Sequence, residues 1–260
     1  MAADDTTPPT VPGPVRRLGG EPWVDLPGGP ALASWSKADQ VRYNQQNRQA
    51  AKHAFFVAAF DFLHDNDIQG DYFEFGCHRA RTFRMALTEA RRQNMEAMRF
   101  MAFDSFAGLP QCDPERVWTK TWTTGALRTG EDEFLGLIRE HGIYADRVRT
   151  VPGFYEASLT PVLQQELLAS GRRPALVCVD CDLYESAVSV LGFLEPLVQP
   201  GTLIYLDDMF AGYKGSPLHG VYKAFREFAA ASALHFEPHM QVGWAGRSFV
   251  ACSRDQEQGA

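Results

Sequence analysis

One stretch, residues 173–210, limits what this chain can fold into more than any other part of it. Residues 175–179 form a short, nearly all-apolar run, which is typical of a strand buried on both faces. Residues 187–198 then carry apolar side chains at helical spacing, and residues 202–206 form a second apolar run that favours a strand. Because the crossover between two such strands is right-handed by default, the pattern predicts a β-α-β unit with parallel strands.

Two pairs of aspartates directly follow these two strands. Asp180 and Asp182 follow the first strand, and Asp207 and Asp208 follow the second. The carboxyl ends of parallel strands meet at one edge of a sheet, where α/β proteins bind ligands, so we expect the four carboxylates to lie close together. Such a group needs a compensating cation, and its oxygens suit Mg²⁺, Mn²⁺ or Ca²⁺. The pairs therefore predict a divalent metal site, with turn-forming strand caps as the alternative.

The rest of the chain alternates between the two kinds of pattern. Further helical patterns occupy residues 51–63, 83–90, 134–138 and 221–228. Further strand patterns occupy residues 71–76, 99–103, 148–151, 241–244 and 248–252. This alternation predicts an α/β fold with a doubly wound, Rossmann-like sheet of seven strands in a single domain, residues 36–253.

Three segments do not follow this alternation. Residues 1–35 are rich in proline and glycine and predict a flexible arm that orders over a ligand, continued by a helical or lid extension from Lys37. Residues 111–132 are polar and aromatic, which predicts a lid or substrate wall. Residues 254–260 form a polar tail.

Composition argues against several classes of function. The formal net charge of -7 disfavours a nucleic-acid surface. No apolar run approaches the ~18 residues of a membrane span, and the N-terminal segment lacks the apolar core of a secretory signal. The five cysteines are scattered and odd in number, which predicts reduced thiols and a cytoplasmic location.

Two acidic residues end the first two predicted strands. Glu74 ends the first, and Gly76 then leads into a helix, an order that places backbone N–H groups at a helix N-terminus. Asp104 ends the second strand, a position that commonly accepts hydrogen bonds from ribose hydroxyls. The two acids predict a bound nucleoside, with turn formation as the alternative for Asp104. The turn contains neither the dinucleotide fingerprint G-x-G-x-x-G nor a P-loop.

Six motifs, taken in chain order, resemble the macrocin O-methyltransferase family. They are Tyr72-Phe-Glu-Phe-Gly76, Phe103-Asp-Ser-Phe-Ala-Gly-Leu-Pro110, Val151-Pro-Gly-Phe-Tyr-Glu156, Val179-Asp-Cys-Asp-Leu-Tyr-Glu-Ser186, Leu206-Asp-Asp208 and Gly220-Val-Tyr-Lys-Ala-Phe-Arg-Glu-Phe228. Members of that family are S-adenosylmethionine-dependent enzymes with a class I Rossmann-like fold. They methylate sugar or phenolic hydroxyls of natural products.

The resemblance implies a role for each matched position. It places Mg²⁺ or Mn²⁺ on Asp180, Asp207 and Asp208, and the cofactor ribose on Asp104. Arg79, Ala80 and Arg81 stand where the family turn usually has more glycine. The full set implied for S-adenosylmethionine is Glu74, Gly76, Thr82, Asp104, Ser105, Phe106, Gly153 and Asp180.

The chemistry of methyl transfer also assigns catalytic candidates. A sugar hydroxyl is a poor nucleophile, so a metal that orients it and lowers its pKa, together with a carboxylate that takes its proton, would activate it. Asp180 or Asp182 is the candidate base, with His219 and His78 as alternatives. We expect a small-molecule glycoside or phenol as the substrate, and a homo-oligomer.

Two other functions fit parts of the sequence. Asp180-Cys-Asp182 is a D-x-D pattern, which would also suit a metal-dependent glycosyltransferase. A non-catalytic nucleoside-binding protein of the same fold is the second alternative.

Overall fold

The computed structural model describes residues 29–111 and 123–254. Most of the predicted arm, half of the predicted lid and nearly all of the polar tail lie outside these ranges. The chain divides into two compact units, Met1–Ala50 and Ala51–Ala260.

The first unit contains a short helix and the start of a long one. Helix α1 spans Gly29–Ser34, and helix α2 spans Lys37–Asp65 and continues into the second unit. The prediction of an irregular arm up to residue 35 did not include α1. Ser36 and Asp39 cap α2: the Ser36 N–H donates to the Asp39 carboxylate (2.9 Å) and the Asp39 N–H donates to Ser36 Oγ (3.2 Å).

The second unit contains a mixed sheet of seven strands among the residues described. The strand order is β3-β2-β1-β4-β5-β7-β6; strands β1 to β5 are parallel, and β7 is antiparallel to β5 and β6. The predicted doubly wound α/β fold is therefore confirmed. The strands are β1 Asp71–Phe75, β2 Phe100–Asp104, β3 Val148–Pro152, β4 Pro174–Val179, β5 Leu203–Leu206, β6 His235–Val242 and β7 Gly246–Cys252.

Helices cover both faces of this sheet because both faces of the central strands are apolar. Tyr72 of β1 is buried on the face covered by α2, α3 and α4, and its neighbour Phe73 on the face covered by α6, α7 and α8. No helix in the two described ranges is long and apolar enough to cross a membrane. The helices after α2 are α3 Arg81–Arg92, α4 Glu131–His141, α5 Tyr155–Ser158, α6 Pro161–Ala169, α7 Tyr184–Leu194 and α8 Gly220–Ala231.

Two predicted elements had the wrong bounds. The predicted helix 187–198 is α7, which ends at Leu194 because Pro196 has no backbone N–H with which to continue the helical hydrogen bonds. The predicted strand 241–244 is β6, which begins at His235. Most of β6 is solvent-exposed and it contains Pro238, which an edge strand tolerates, so it lacks the apolar pattern of a central strand.

Candidate active site

The parallel strands deliver their terminal acids to one edge of the sheet. The ladder continues one residue past the strands: the Asp180 N–H donates to the Phe75 carbonyl (2.8 Å), and the Asp207 N–H to the Val179 carbonyl (3.0 Å). Both aspartates are thereby fixed by backbone hydrogen bonds on adjacent strands. Their side chains start from rigid positions, as a preorganised site requires.

Three of the four carboxylates expected at this edge converge there. Asp180, Asp207 and Asp208 each offer one oxygen, and these oxygens all lie within 4.8 Å of one another. Metal–oxygen distances of ~2.0–2.6 Å allow oxygens on opposite sides of one hard cation to be ~4–5 Å apart. The three side chains therefore fit a single divalent ion, and the ion itself remains a prediction.

A lysine that was not among the predicted site residues lies among these carboxylates. Lys52 Nζ on α2 is 2.7 Å from Asp207 Oδ2 and 3.2 Å from Asp180 Oδ2. Burial alone would lower the pKa of Lys52, but the two carboxylates raise that pKa well above its ordinary value. Lys52 also precedes Phe55 and Phe56 by three and four residues, which puts it on the buried side of α2. That spacing was the signal that could have identified it.

Asp207 is held on both of its oxygens. The buried Tyr205 hydroxyl donates to Oδ1, and Lys52 donates to Oδ2. Tyr205 and Asp207 are two residues apart, across the end of β5, so the strand itself supplies this support. From the sequence, Tyr205 was predicted only as part of a strand.

Asp182 and Asp208 form a second contact within the cluster. Burial raises the pKa of Asp182 to about 7, against the effect of a hydrogen bond with Asp208. Burial, followed by the charges of Asp182 and Asp207, raises the pKa of Asp208 well above its ordinary value. Asp182 also has a φ of 56°, an uncommon conformation for a residue with a side chain. A carboxyl group with this pKa can exchange a proton near neutral pH.

The two histidines proposed as alternative bases lie apart from these hydrogen bonds. His219 is exposed, immediately before α8, and its side chain makes no capping hydrogen bond. His78 Nδ1 is 3.0 Å from Thr129 Oγ1, on the turn that follows β1. A catalytic role for His219 stays a prediction.

Glu74 lies beneath the turn that follows β1. Its carboxylate is fully buried and accepts hydrogen bonds from the Tyr72 hydroxyl and from Thr82 Oγ1, the latter at 2.8 Å. Burial outweighs these hydrogen bonds and raises the pKa of Glu74 to about 7. Glu74 and Thr82 thus support the turn from the interior, and their contact with a cofactor stays a prediction.

Asp104 joins the ends of β1 and β2. Its Oδ2 accepts from the Cys77 N–H (2.6 Å), its Oδ1 accepts from the Phe106 N–H (2.7 Å), and its carbonyl accepts from the Gly153 N–H (3.0 Å). Each carboxylate oxygen keeps a lone pair for a further donor. Asp104 is only partly buried, so those lone pairs can reach a ligand such as a ribose.

The other predicted cofactor residues shape the backbone around Asp104. Ser105 Oγ donates to the Gly108 carbonyl at 2.7 Å. Phe106 is buried and packs on Phe134, with ring centroids 5.6 Å apart. Gly153 has a φ of 127°, where a side chain would be strained. The structure therefore brings these residues together at the end of β2.

The turn after β1 uses left-handed backbone where the family usually has glycine. Arg79 and Ala80 have φ values of 57° and 50°. The Arg79 N–H donates to the buried Thr129 hydroxyl at 3.1 Å, which helps to hold this conformation. Left-handed backbone costs ~1–2 kcal/mol for each residue with a side chain, and here it orients the first turn of α3.

We expect Glu74→Gln to remove a pH dependence of stability. The pKa of Glu74 rises from 4.5 to about 7 on folding, so its contribution to stability is fully present below the unfolded pKa. It is lost as the pH rises through about 7, a change of roughly 3 kcal/mol. Glutamine stays neutral, so melting temperatures should increasingly favour the variant between about pH 5 and about pH 8.

Glu133→Gln is the matched control, because Glu133 is exposed on α4. Over the same pH range, the difference between its melting temperature and that of the wild type should show no trend comparable to that of Glu74→Gln. A constant difference for Glu74→Gln as well would contradict the raised pKa.

A family model described as macrocin-O-methyltransferase matches residues 50–249, which is more than half of the chain. A curated protein of Streptomyces olivaceus is also similar, with 27% identity over 146 residues, 54% of this chain and 53% of that protein. It is described as 8-demethyl-8-(2,3-dimethoxy-alpha-L-rhamnosyl)-tetracenomycin-C 4'-O-methyltransferase. The chain thus spans about half the length of this curated relative.

Solved structures of methyltransferases share the fold. The O-methyltransferase NovP superposes with a TM-score of 0.62 at 20% identity, over 78% of this chain and 80% of NovP. CalS11, a calicheamicin methyltransferase, superposes with a TM-score of 0.59 at 15% identity, over 95% of this chain and 99% of CalS11. An apo structure of CalS11, described as a TDP-rhamnose 3'-O-methyltransferase, superposes with a TM-score of 0.52 at 17% identity, over 76% of this chain and 78% of that structure. The sheet is therefore that of the class I O-methyltransferases.

Proposed function

This chain belongs to the macrocin O-methyltransferase family, and we propose that it methylates a sugar hydroxyl of a natural product, using S-adenosylmethionine and Mg²⁺ or Mn²⁺. The observation that carries the proposal is the convergence of Asp180, Asp207 and Asp208 at one sheet edge. Asp104 ends a strand of the same parallel sheet, and its carboxylate keeps free lone pairs. A nucleoside and a metal would therefore lie on the same sheet edge, at strand ends on either side of β1.

The residues around Asp104 fit the proposed cofactor. S-adenosylmethionine, when bound, supplies an electrophilic methyl group on a sulfonium. Asp104 would accept hydrogen bonds from the ribose hydroxyls, and Ser105 and Phe106 would flank the adenosine. Gly76, with a φ of 91°, lets the backbone turn sharply at the end of β1, above the buried Glu74.

The acidic cluster fits the proposed metal. A divalent ion, when bound, lowers the pKa of a hydroxyl that it contacts and orients it. Asp180, Asp207 and Asp208 would hold that ion. Asp182 would accept the hydroxyl proton, because its pKa of about 7 suits a general base at neutral pH. Asp180 is the second candidate for the base, but it already contacts Lys52.

The names of similar proteins support a deoxysugar as the acceptor. The curated relative is named for methylation of a rhamnosyl group, and CalS11 for methylation of TDP-rhamnose. We extend this to a rhamnose-like sugar for this chain, with a phenol as the alternative acceptor. The described cysteines, which are Cys77, Cys178, Cys181 and Cys252, are unpaired, in keeping with the predicted cytoplasmic location. The predicted homo-oligomer also belongs to this proposal.

The direct test is methyl transfer to a panel of rhamnosides, nucleotide-linked rhamnose and phenols. We expect S-adenosylhomocysteine and a methylated sugar to form, EDTA to stop the reaction, and Mg²⁺ or Mn²⁺ to restore it. Full activity in EDTA would refute the metal requirement, and turnover of phenols alone would refute a sugar as the acceptor. Glycosyl transfer from the nucleotide sugar would support the glycosyltransferase alternative. Binding of a nucleoside without any turnover would support the non-catalytic alternative.

We expect Asp104→Ala to weaken cofactor binding by ~1.5–3 kcal/mol, the scale of a hydrogen bond to a charged group. The measurement is calorimetric titration of S-adenosylhomocysteine. Asp146→Asn is the control, because Asp146 is exposed before β3. Since Asp104 also orders the Cys77 and Phe106 N–H groups, the Asp104→Asn variant separates loss of charge from disruption of the turn. Unchanged affinity in both Asp104 variants would remove Asp104 from the site.

A further inference from the structure

Lys52 is a cation among the carboxylates that the proposed function assigns to a metal. Its ammonium lies 2.7 Å from Asp207 and 3.2 Å from Asp180, and its side chain is only 15% exposed. Solvent ions therefore have little access to the space it occupies. The ammonium already neutralises part of the charge that a divalent ion would neutralise.

The position of Lys52 is fixed by its helix. The next turn of α2 buries Phe55 and Phe56 completely, so the backbone that carries Lys52 is anchored in the core. The apolar stem of the lysine can still change rotamer, and this would move the ammonium without moving the helix. Lys52 can thus leave the carboxylates while the fold stays intact.

Lys52 contacts two of the three carboxylates that would hold a metal. Asp207 Oδ1 is held by the Tyr205 hydroxyl and Oδ2 by Lys52, so an ion bound by Asp207 must share or replace one of these partners. Tyr205 is fully buried at the end of β5 and has no room to withdraw, whereas Lys52 is partly exposed. A cation and a divalent ion on the same oxygens also repel each other.

We propose that Lys52 is a built-in competitor of the metal: it stabilises the metal-free acidic cluster and lowers the affinity of that cluster for divalent ions. Lys52 is then a positioning residue that acts through Asp180 and Asp207. This inference rests on the metal site of the proposed function. An ion that replaces Lys52 on Asp207 Oδ2 displaces the ammonium from the cluster, so that metal binding and withdrawal of Lys52 are one event.

The test is calorimetric titration of Mg²⁺ alone into the wild type and Lys52→Met at about pH 7.5, without cofactor. Methionine keeps most of the apolar stem but not the charge. We expect Lys52→Met to bind Mg²⁺ at least ~10-fold more tightly. Lys52→Arg keeps the charge and should bind within about threefold of the wild type. Lys223→Met is the charge-matched control, because the Lys223 ammonium lies over the Tyr184 ring, 4.3 Å from the ring centroid. This variant should bind Mg²⁺ with the affinity of the wild type.

Thermal melting in EDTA gives the second readout. Without metal, Lys52→Met should melt several °C below the wild type. In saturating Mg²⁺, this difference in melting temperature should disappear. Unchanged or weaker Mg²⁺ binding by Lys52→Met, with normal binding by the wild type, overturns the role of Lys52 alone. Absence of Mg²⁺ binding in both overturns this inference together with the metal in the proposed function.

Discussion

Gly76→Ala is expected to lower the melting temperature by ~10 °C or more, corresponding to a loss of at least ~4 kcal/mol in unfolding free energy. A Cβ at this position would lie 1.9 Å from the Asp180 carbonyl oxygen, and the φ of 91° is strained for any side chain. Neither backbone can move away, because Gly76 donates to the Phe103 carbonyl (2.9 Å) and Asp180 to the Phe75 carbonyl (2.8 Å).

Melting followed by circular dichroism measures this effect, with Gly192→Ala as the matched control. Gly192 is exposed on α7, and an added Cβ there meets nothing within 4 Å. Alanine in a helix should leave stability unchanged or raise it by up to ~1 kcal/mol. Equal melting temperatures for the two variants would mean that the strands do not approach each other as closely as described.

If Asp208 holds the proposed metal, Asp208→Asn should reduce the rate of methyl transfer by ~10³-fold, because such an ion would stabilise the transition state by several kcal/mol. The metal-free protein should keep or slightly raise its melting temperature, since the change removes a charge that Asp182 and Asp207 repel. Asp208→Asn also leaves the two carboxylates bound by Lys52 unchanged. It therefore tests metal ligation without breaking either Lys52 ion pair.

Turnover and melting with and without Mg²⁺ decide between a metal ligand and a structural cap. The wild type should melt higher in Mg²⁺, and this rise should shrink in Asp208→Asn. A lower melting temperature of the variant in EDTA, together with no response of either protein to Mg²⁺, would favour caps. Asp146→Asn, at an exposed position, should match the wild type in both measurements.

The sheet was predictable because its central strands are short and buried on both faces. Such strands appear in the sequence as apolar runs, and the parallel pairing then follows from the helices between them. The bounds of the edge strand β6 were not predictable in this way. His235, Glu237 and Pro238 interrupt its apolar pattern, and it pairs with β7 in the antiparallel direction. Helix α1 was missed because six residues carry too little periodicity to stand out from a proline-rich segment.

The acidic cluster was predictable for the same reason, since acids at the ends of adjacent parallel strands must meet. Lys52 was not predicted because its helix is 128 residues away from Asp180 in the sequence. Tyr205 was not predicted as a partner of Asp207 because both belong to an ordinary strand end. The left-handed backbone of Arg79 and Ala80 is set by tertiary contacts. Neither arginine nor alanine favours that conformation, so the sequence does not predict it.

Neither edge of the sheet offers a regular ladder to a strand from another molecule. β3 has five residues and ends on Pro152, and the exposed Arg149 on it pairs with Glu166 at 2.6 Å. At the other edge, β6 contains Pro238 and a shift in register that follows it. Prolines, charges and bulges are the devices that keep edge strands from aggregating. The native protein should therefore resist cross-β aggregation at high concentration.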